Sequence, residues 1–120
     1  MDQRVHAVIA HMKTNLHRKL LLGEMGKSVN LSPARLRCLF KAETGVAPLP
    51  YLKNLRLQRA RELLENTFLS VKEIAGRVGM GDVSHFVRGF RTVFGVAPAG
   101  HRANHFHAQA SQTARRKRNR

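Results

Sequence analysis

Phe40-Lys-Ala-Glu-Thr-Gly45-Val-Ala-Pro48 returns fifty residues later as Phe90-Arg-Thr-Val-Phe-Gly95-Val-Ala-Pro98. Each copy reads as the end of an amphipathic helix, stopped by a glycine and kept from resuming by a proline. Upstream, Leu22-Gly-Glu-Met25-Gly26-Lys-Ser-Val29-Asn-Leu31 matches Val71-Lys-Glu-Ile74-Ala75-Gly-Arg-Val78-Gly-Met80 at an offset of forty-nine. One extra residue in the second turn reconciles the two offsets. The match therefore describes a duplicated supersecondary unit.

Each unit reads as helix, tight turn, helix. In the second, Ser70 is placed to cap the amide of Glu73, Glu73 to reach back to Ser70, and Leu69 to staple onto Ile74. Ile74, Ala75 and Val78 continue that helix until Gly79 breaks it, and Asp82 caps the next. Phe86, Phe90, Val93 and Phe94 then form an apolar stripe at helical spacing. In the first unit Ser32 caps, Pro33 occupies the first helical position, Leu31 staples onto Leu36, and Leu36, Leu39 and Phe40 form the stripe. Gly26 and Ala75 take equivalent places, where closely crossing helices admit nothing larger than a methyl group.

Between the units, Leu52, Leu55, the 59/60 position and Leu63 lie along one face of a long helix rather than a flexible linker. A leading helix over about residues 2 to 15 shows Val5, Val8, Ile9 and Met12 on one face. The predicted fold is all-α, with two tandem helix-turn-helix subdomains joined by a linker helix and about seven helices in total. Its parts are a first subdomain at 1–47, the linker at 48–66, a second subdomain at 67–103, and a basic tail at 104–120 expected to be disordered.

Charge supplies the first clue to a partner. Twenty-two Lys and Arg against seven Asp and Glu give a formal net charge of +15, which draws the chain toward polyanions, nucleic acid first. No stretch approaches the roughly 20 apolar residues of a spanning helix, so no membrane partner is expected. The opening MDQRVHAVIAHMK is too broken by His and Lys for a secretory signal. The single Cys38 excludes an intrachain disulfide and suits a reducing compartment, with a cytoplasmic, nucleoid-associated location expected. One Tyr and no Trp leave little for stacking on single strands.

With these residues in place, the chain resembles the DNA-binding domain of the AraC/XylS family of bacterial transcription regulators, from about Arg4 to Arg102. The resemblance rests on Asn15-Leu16-His17, Val29-Asn-Leu31-Ser32-Pro33 and Leu39-Phe40-Lys41-Ala-Glu43-Thr44-Gly45. It continues through Tyr51-Leu52, Leu55-Arg56-Leu57, Ala60, Leu63-Leu64, Ile74-Ala75, Val78-Gly79, Phe90-Arg91, Phe94-Gly95 and Pro98. Two departures stand out. His101 replaces a common Tyr, and Gly26 replaces the usual Ala, an exchange expected to loosen its helix by up to about 1 kcal/mol. The resemblance implies transcription activation through RNA polymerase, and a separate effector or dimerisation domain ahead of the module in longer members.

In a helix-turn-helix the second helix enters the major groove with its far face on the core. Subtracting the apolar stripes leaves Ala34, Arg37, Cys38 and Lys41 in one unit and Ser84, Val87, Arg88 and Arg91 in the other. The base-contacting positions implied by the resemblance fall on the same stripes. Arg37 and Arg88 are the best candidates for base reading, since a guanidinium bonds guanine O6 and N7 together. Their equivalent placement in the two repeats lifts them above the ordinary solvated arginine. Ala34 and Val87 suit thymine methyls, and Ser84 a base edge or a phosphate. Lys41 and Arg91, with Arg35 and His85 beside the stripe, suit phosphates. Cys38 reads as a weak base contact, a redox sensor, or a small neutral residue tolerated in a groove-facing slot, the last being favoured.

No cofactor or metal is expected. His101, His105 and His107 have partial zinc spacing, but no carboxylate follows and Pro98-Ala-Gly100 argues against a continuous helix there. Ser84-His85 has no paired acid and there is no phosphate loop, so catalysis is not expected. The expected activity is sequence-specific binding of double-stranded DNA by two recognition helices in successive major grooves. The competing reading is a non-specific nucleic-acid-binding or architectural protein, which the charge alone would serve equally well.

Overall fold

The computed structural model describes the backbone of residues 1–118 and the side chains of residues 1–114. Seven helices follow one another: α1 (Gln3–Thr14), α2 (Leu22–Ser28), α3 (Pro33–Thr44), α4 (Pro48–Asn66), α5 (Val71–Arg77), α6 (Val83–Phe94) and α7 (Pro98–Arg118). No strand occurs among the described residues.

The starts are set by side chains that satisfy the otherwise orphaned first amides. The Arg35 amide donates to Ser32 Oγ at 3.2 Å and the His85 amide to Asp82 Oδ1 at 3.1 Å. At α5 the capping box is complete: Glu73 N donates to Ser70 Oγ at 3.1 Å, and Ser70 N to Glu73 Oε1 at 3.4 Å. The stops are left-handed residues, Gly45 at φ 81° and Gly95 at φ 78°, where a side chain would be strained.

The two turns share one hydrogen-bond pattern. The Leu31 amide closes on the Gly26 carbonyl, and the Met80 amide on that of Ala75, both at 2.8 Å, a Schellman ending. The left-handed residue of that motif is Asn30 (φ 57°) in the first unit and Gly79 (φ 77°) in the second. The first turn lacks a counterpart of Gly81, and it folds the Leu31 carbonyl so closely over Gly26 that a Cβ there would overlap the oxygen. Gly26 is thus required by the shorter turn, which corrects the expectation that it merely loosens α2.

Two cores result. Val5, Val8, Ile9, Met12, Leu20, Met25, Leu36, Phe40 and Leu52 make the first. The second comprises Leu57, Ala60, Leu63, Leu64, Ile74, Ala75, Val78, Phe86 and Phe90. α4 belongs to both, giving Leu52 to one and its residues from Leu57 onward to the other, so it is a shared wall. Leu39 and Phe94 are only half-buried against these cores. Val93, expected on the buried stripe, is 48% exposed: it faces the open space between α4 and α6, while Phe94 beside it packs against the second core.

A second link joins the units. Arg56 of α4 donates from Nη2 to the Arg18 carbonyl at 2.9 Å. Its guanidinium lies over Gly79, where a Cβ would stand 3.2 Å from Cζ and would overlap the Leu16 carbonyl oxygen. Burial pulls the Arg56 pKa below the usual guanidinium value, though not out of its charged state at neutral pH.

The largest departure from expectation is at the end of the chain. The disordered tail expected from 104 is helical as far as Arg118, continuing through Gly100 from Pro98; residues 119–120 lie outside the described residues. Arg102 fastens the start of α7 by donating from Nε to the Leu64 carbonyl at 3.1 Å and from Nη2 to the Thr67 carbonyl at 3.2 Å. These are the open carbonyls at the end of α4. Beyond that anchor the chain has few apolar residues but also no Gly or Pro, and its Ala, Gln and Arg are good helix formers.

Candidate nucleic-acid interface

α3 carries Ala34, Arg35, Arg37, Cys38 and Lys41 exposed on one side, because Leu36 and Phe40 bury the other. α6 repeats the arrangement around Phe86 and Phe90, with Ser84, His85, Arg88 and Arg91 exposed. Val87 differs: it is half-buried and packs against the second core, so little of it remains for a thymine methyl.

The fifty-residue repeat pairs Ala34 with Ser84, Arg37 with Val87, Cys38 with Arg88, and Lys41 with Arg91. The two candidate base-reading arginines therefore occupy adjacent positions of the shared stripe, which corrects the expectation that they are strict equivalents. Each unit still presents one central arginine and one cation a turn later.

Six of the seven acids are spent elsewhere, and the seventh, Glu43, is exposed near the end of α3. Arg4–Asp2 (3.1 Å), Arg18–Glu24 (2.7 Å), Arg59–Glu62 (2.9 Å) and Arg61–Glu65 (3.8 Å) form the Arg–carboxylate pairs, while Glu73 and Asp82 cap helices. Among the described residues, the side chains of Arg35, Arg37, Lys41, Arg88 and Arg91 enter no ion pair or hydrogen bond. Exposed pairs add only about 0–1 kcal/mol each to stability. The cations of the two stripes keep their charge uncompensated, as do Lys13, Lys19, Lys27, Lys72 and Arg77 on other faces, so the stripes stand out by their helical placement within a broadly positive field.

Of the histidines at the end of the chain, His107 is exposed and His101 serves packing. His101 Nε2 donates to Glu65 Oε2 at 3.1 Å, and its ring lies 5.7 Å from that of Phe90 and 6.4 Å from that of Phe94. Among the described residues no three His, Cys, Asp or Glu side chains gather as a metal would need. Cys38 is a free, exposed thiol.

One feature escaped the sequence reading. A hollow of about 420 Å³ opens between α4 and α6, with Lys53 and Asn54 on one wall and His85 and Arg88 on the other. Its only local trace is Gly89, in the middle of α6 where the first copy has Leu39.

A helix-turn-helix domain family model matches residues 25–104. The HTH-type transcriptional regulator GbdR of Pseudomonas aeruginosa is 34% identical over 99 residues, covering 82% of this chain and 27% of that protein. The HTH-type transcriptional activator RhaS of Klebsiella pneumoniae is 34% identical over 97 residues, covering 81% and 35%. The chain thus spans about a third of the length of these relatives. Among solved structures, the DNA-binding domain of AdpA in complex with a target DNA aligns at TM-score 0.83 and 30% identity, over 90% of this chain and 96% of that one. An AraC-type regulator from Chromobacterium violaceum aligns at 0.81 and 30%, over 86% and 92%.

Proposed function

The chain belongs to the AraC/XylS family of helix-turn-helix DNA-binding domains, and from that premise we propose that it is a sequence-specific transcription regulator acting on double-stranded DNA. α3 and α6 enter successive major grooves on one face of the duplex, roughly 34 Å apart. The carrying observation is the pair of exposed, unpaired cationic stripes on equivalent helices.

Arg37 and Arg88 read guanine edges, each worth roughly 1–3 kcal/mol of discrimination. Ala34, Cys38 and Ser84 line the same groove-facing stripes, with Val87 at the edge of the second. Lys41, Arg91, Arg35 and His85 hold phosphates and so set register without reading sequence. Because the two helices differ, the site is asymmetric and one chain suffices to fill it. Activation fits the description of the RhaS relative as a transcriptional activator, with RNA polymerase the partner that the family resemblance implies. Selection from random duplexes tests the reading: a motif bound at least about 10³-fold better than competitor DNA is expected at physiological salt. Recovery of no motif would overturn it in favour of a non-specific binder.

A further inference from the structure

In the first recognition helix Leu39 packs on the core. At the same place in the second stands Gly89, although glycine inside a helix costs up to about 1 kcal/mol relative to alanine. The backbone does not demand it, since Gly89 has no positive φ. The space above it is open but visited: a Cβ at Gly89 would lie 3.5 Å from Lys53 Cε and 3.9 Å from Lys53 Nζ, ordinary contact rather than collision. The linker helix thus lays a lysine across the flank of the second recognition helix, beside Arg88 and His85.

Charge along α4 divides in the same place. Its later turns hold Arg59 and Arg61 in pairs with Glu62 and Glu65. Earlier in the helix Lys53 is exposed and, among the described residues, its ammonium meets no acid and no acceptor. No carboxylate lines the hollow it shares with His85 and Arg88. The adjoining hollow, which Lys53 and His85 also line, contains Asp82, and that carboxylate caps α6. α4 starts just after Gly45-Val46-Ala47 closes α3, so Lys53 lies on the helix that joins the two units, on the flank of α6.

We infer that Lys53 is a third DNA contact, binding a backbone phosphate between the two half-sites, with Asn54 beside it as a neutral donor. The inference rests on the DNA-binding reading above. A flexible lysine is a point-charge ligand that reads no base, so it fastens the stretch of duplex that neither recognition helix enters. Gly89 keeps the flank low enough for the lysine stem to cross.

The test measures affinity against salt on a selected site and on competitor DNA. Lys53→Ala is expected to weaken both DNAs by a similar factor, roughly tenfold. It should also lower the slope of log K against log salt by about 0.9, the signature of one lost phosphate contact. Lys53→Arg restores both. Gly89→Leu, which fills the hollow with the side chain of the first repeat, produces the same loss, and the double variant adds nothing further. Ethylation interference locates the contact: ethyl groups between the half-sites block wild type and not Lys53→Ala. A Lys53→Ala protein with unchanged slope on a site that wild type selects overturns the inference. If wild type selects no site, the reading of specificity fails instead, and the slope change on competitor DNA still decides the role of Lys53.

Discussion

The two helix-turn-helix units reach one shape by different residues, and the differences fall at the turn and on the outer flank of the recognition helix. The first turn is shorter, accepts Asn30 at its left-handed position and demands Gly26. The second takes Ala75, adds Gly81, and needs Gly79 both for its φ of 77° and because the Leu16 carbonyl lies where a side chain would begin. On the recognition helix, Arg37 is exposed where Val87 is drawn toward the core, and Leu39 packs where Gly89 leaves a hollow. The cores are therefore the repeated part, and the surfaces meeting solvent or the other unit are where the copies diverge.

The strongest way to break the comparison is through what the copies share. Phe40→Ala and Phe90→Ala each remove a fully buried ring and are expected to cost about 3–5 kcal/mol apiece by denaturant titration. A marked inequality would mean that one core dominates the fold. Next comes the turn. Gly79→Ala is expected to cost about 2–3 kcal/mol, since it combines left-handed strain with a backbone overlap. Asn30→Gly should change stability by well under 1 kcal/mol. Equal effects would remove the distinction drawn between the turns.

The recognition faces are separated by binding rather than stability. Arg37→Ala and Arg88→Ala should each relax preference by roughly 10- to 100-fold, in different halves of a selected site. Lys41→Ala should weaken all sequences alike. Loss in the same half from both arginines would contradict the two-groove arrangement. A small effect of opposite sign is expected at Gly89. Gly89→Ala should raise the melting temperature slightly, by about 0.5–1 kcal/mol in stability, because the added methyl meets Lys53 at ordinary distance. A destabilised Gly89→Ala would show that the fold itself needs the glycine.

Much of this architecture could be read from local pattern. Ser32, Ser70 and Asp82 announced three helix starts, and Val5, Val8, Ile9 and Met12 proved to be buried together. Both signals lie within one or two turns of chain, where spacing fixes geometry. What was missed depends on contacts with no local signature. The closeness of Leu31 to Gly26, the crossing of Lys53 over Gly89, and the link from Arg56 to Arg18 arise only when separate elements meet. α7 departs from expectation for another reason: scarcity of apolar residues points to disorder, whereas Arg102 and His101 secure its first turns and no Gly or Pro afterward interrupts the helix. Among the candidate site residues, the exposed faces followed from subtracting the core. The partial burial of Val87 and the offset of the two arginines did not.

The contact of Arg56 and Leu16 with Gly79 bears on how a duplex is engaged. With the turn of one unit resting on a loop of the other, the proposed two-groove binding would have insertion of the first recognition helix deliver the second at a preset distance and angle. The second event is then intramolecular, and its high effective concentration costs no further ordering of the protein. On that reading the same preorganisation makes the chain a ruler. One base pair added between half-sites rotates the distal one by about 34°, an error that a loosely strung pair of units would absorb and this one must pass to the DNA.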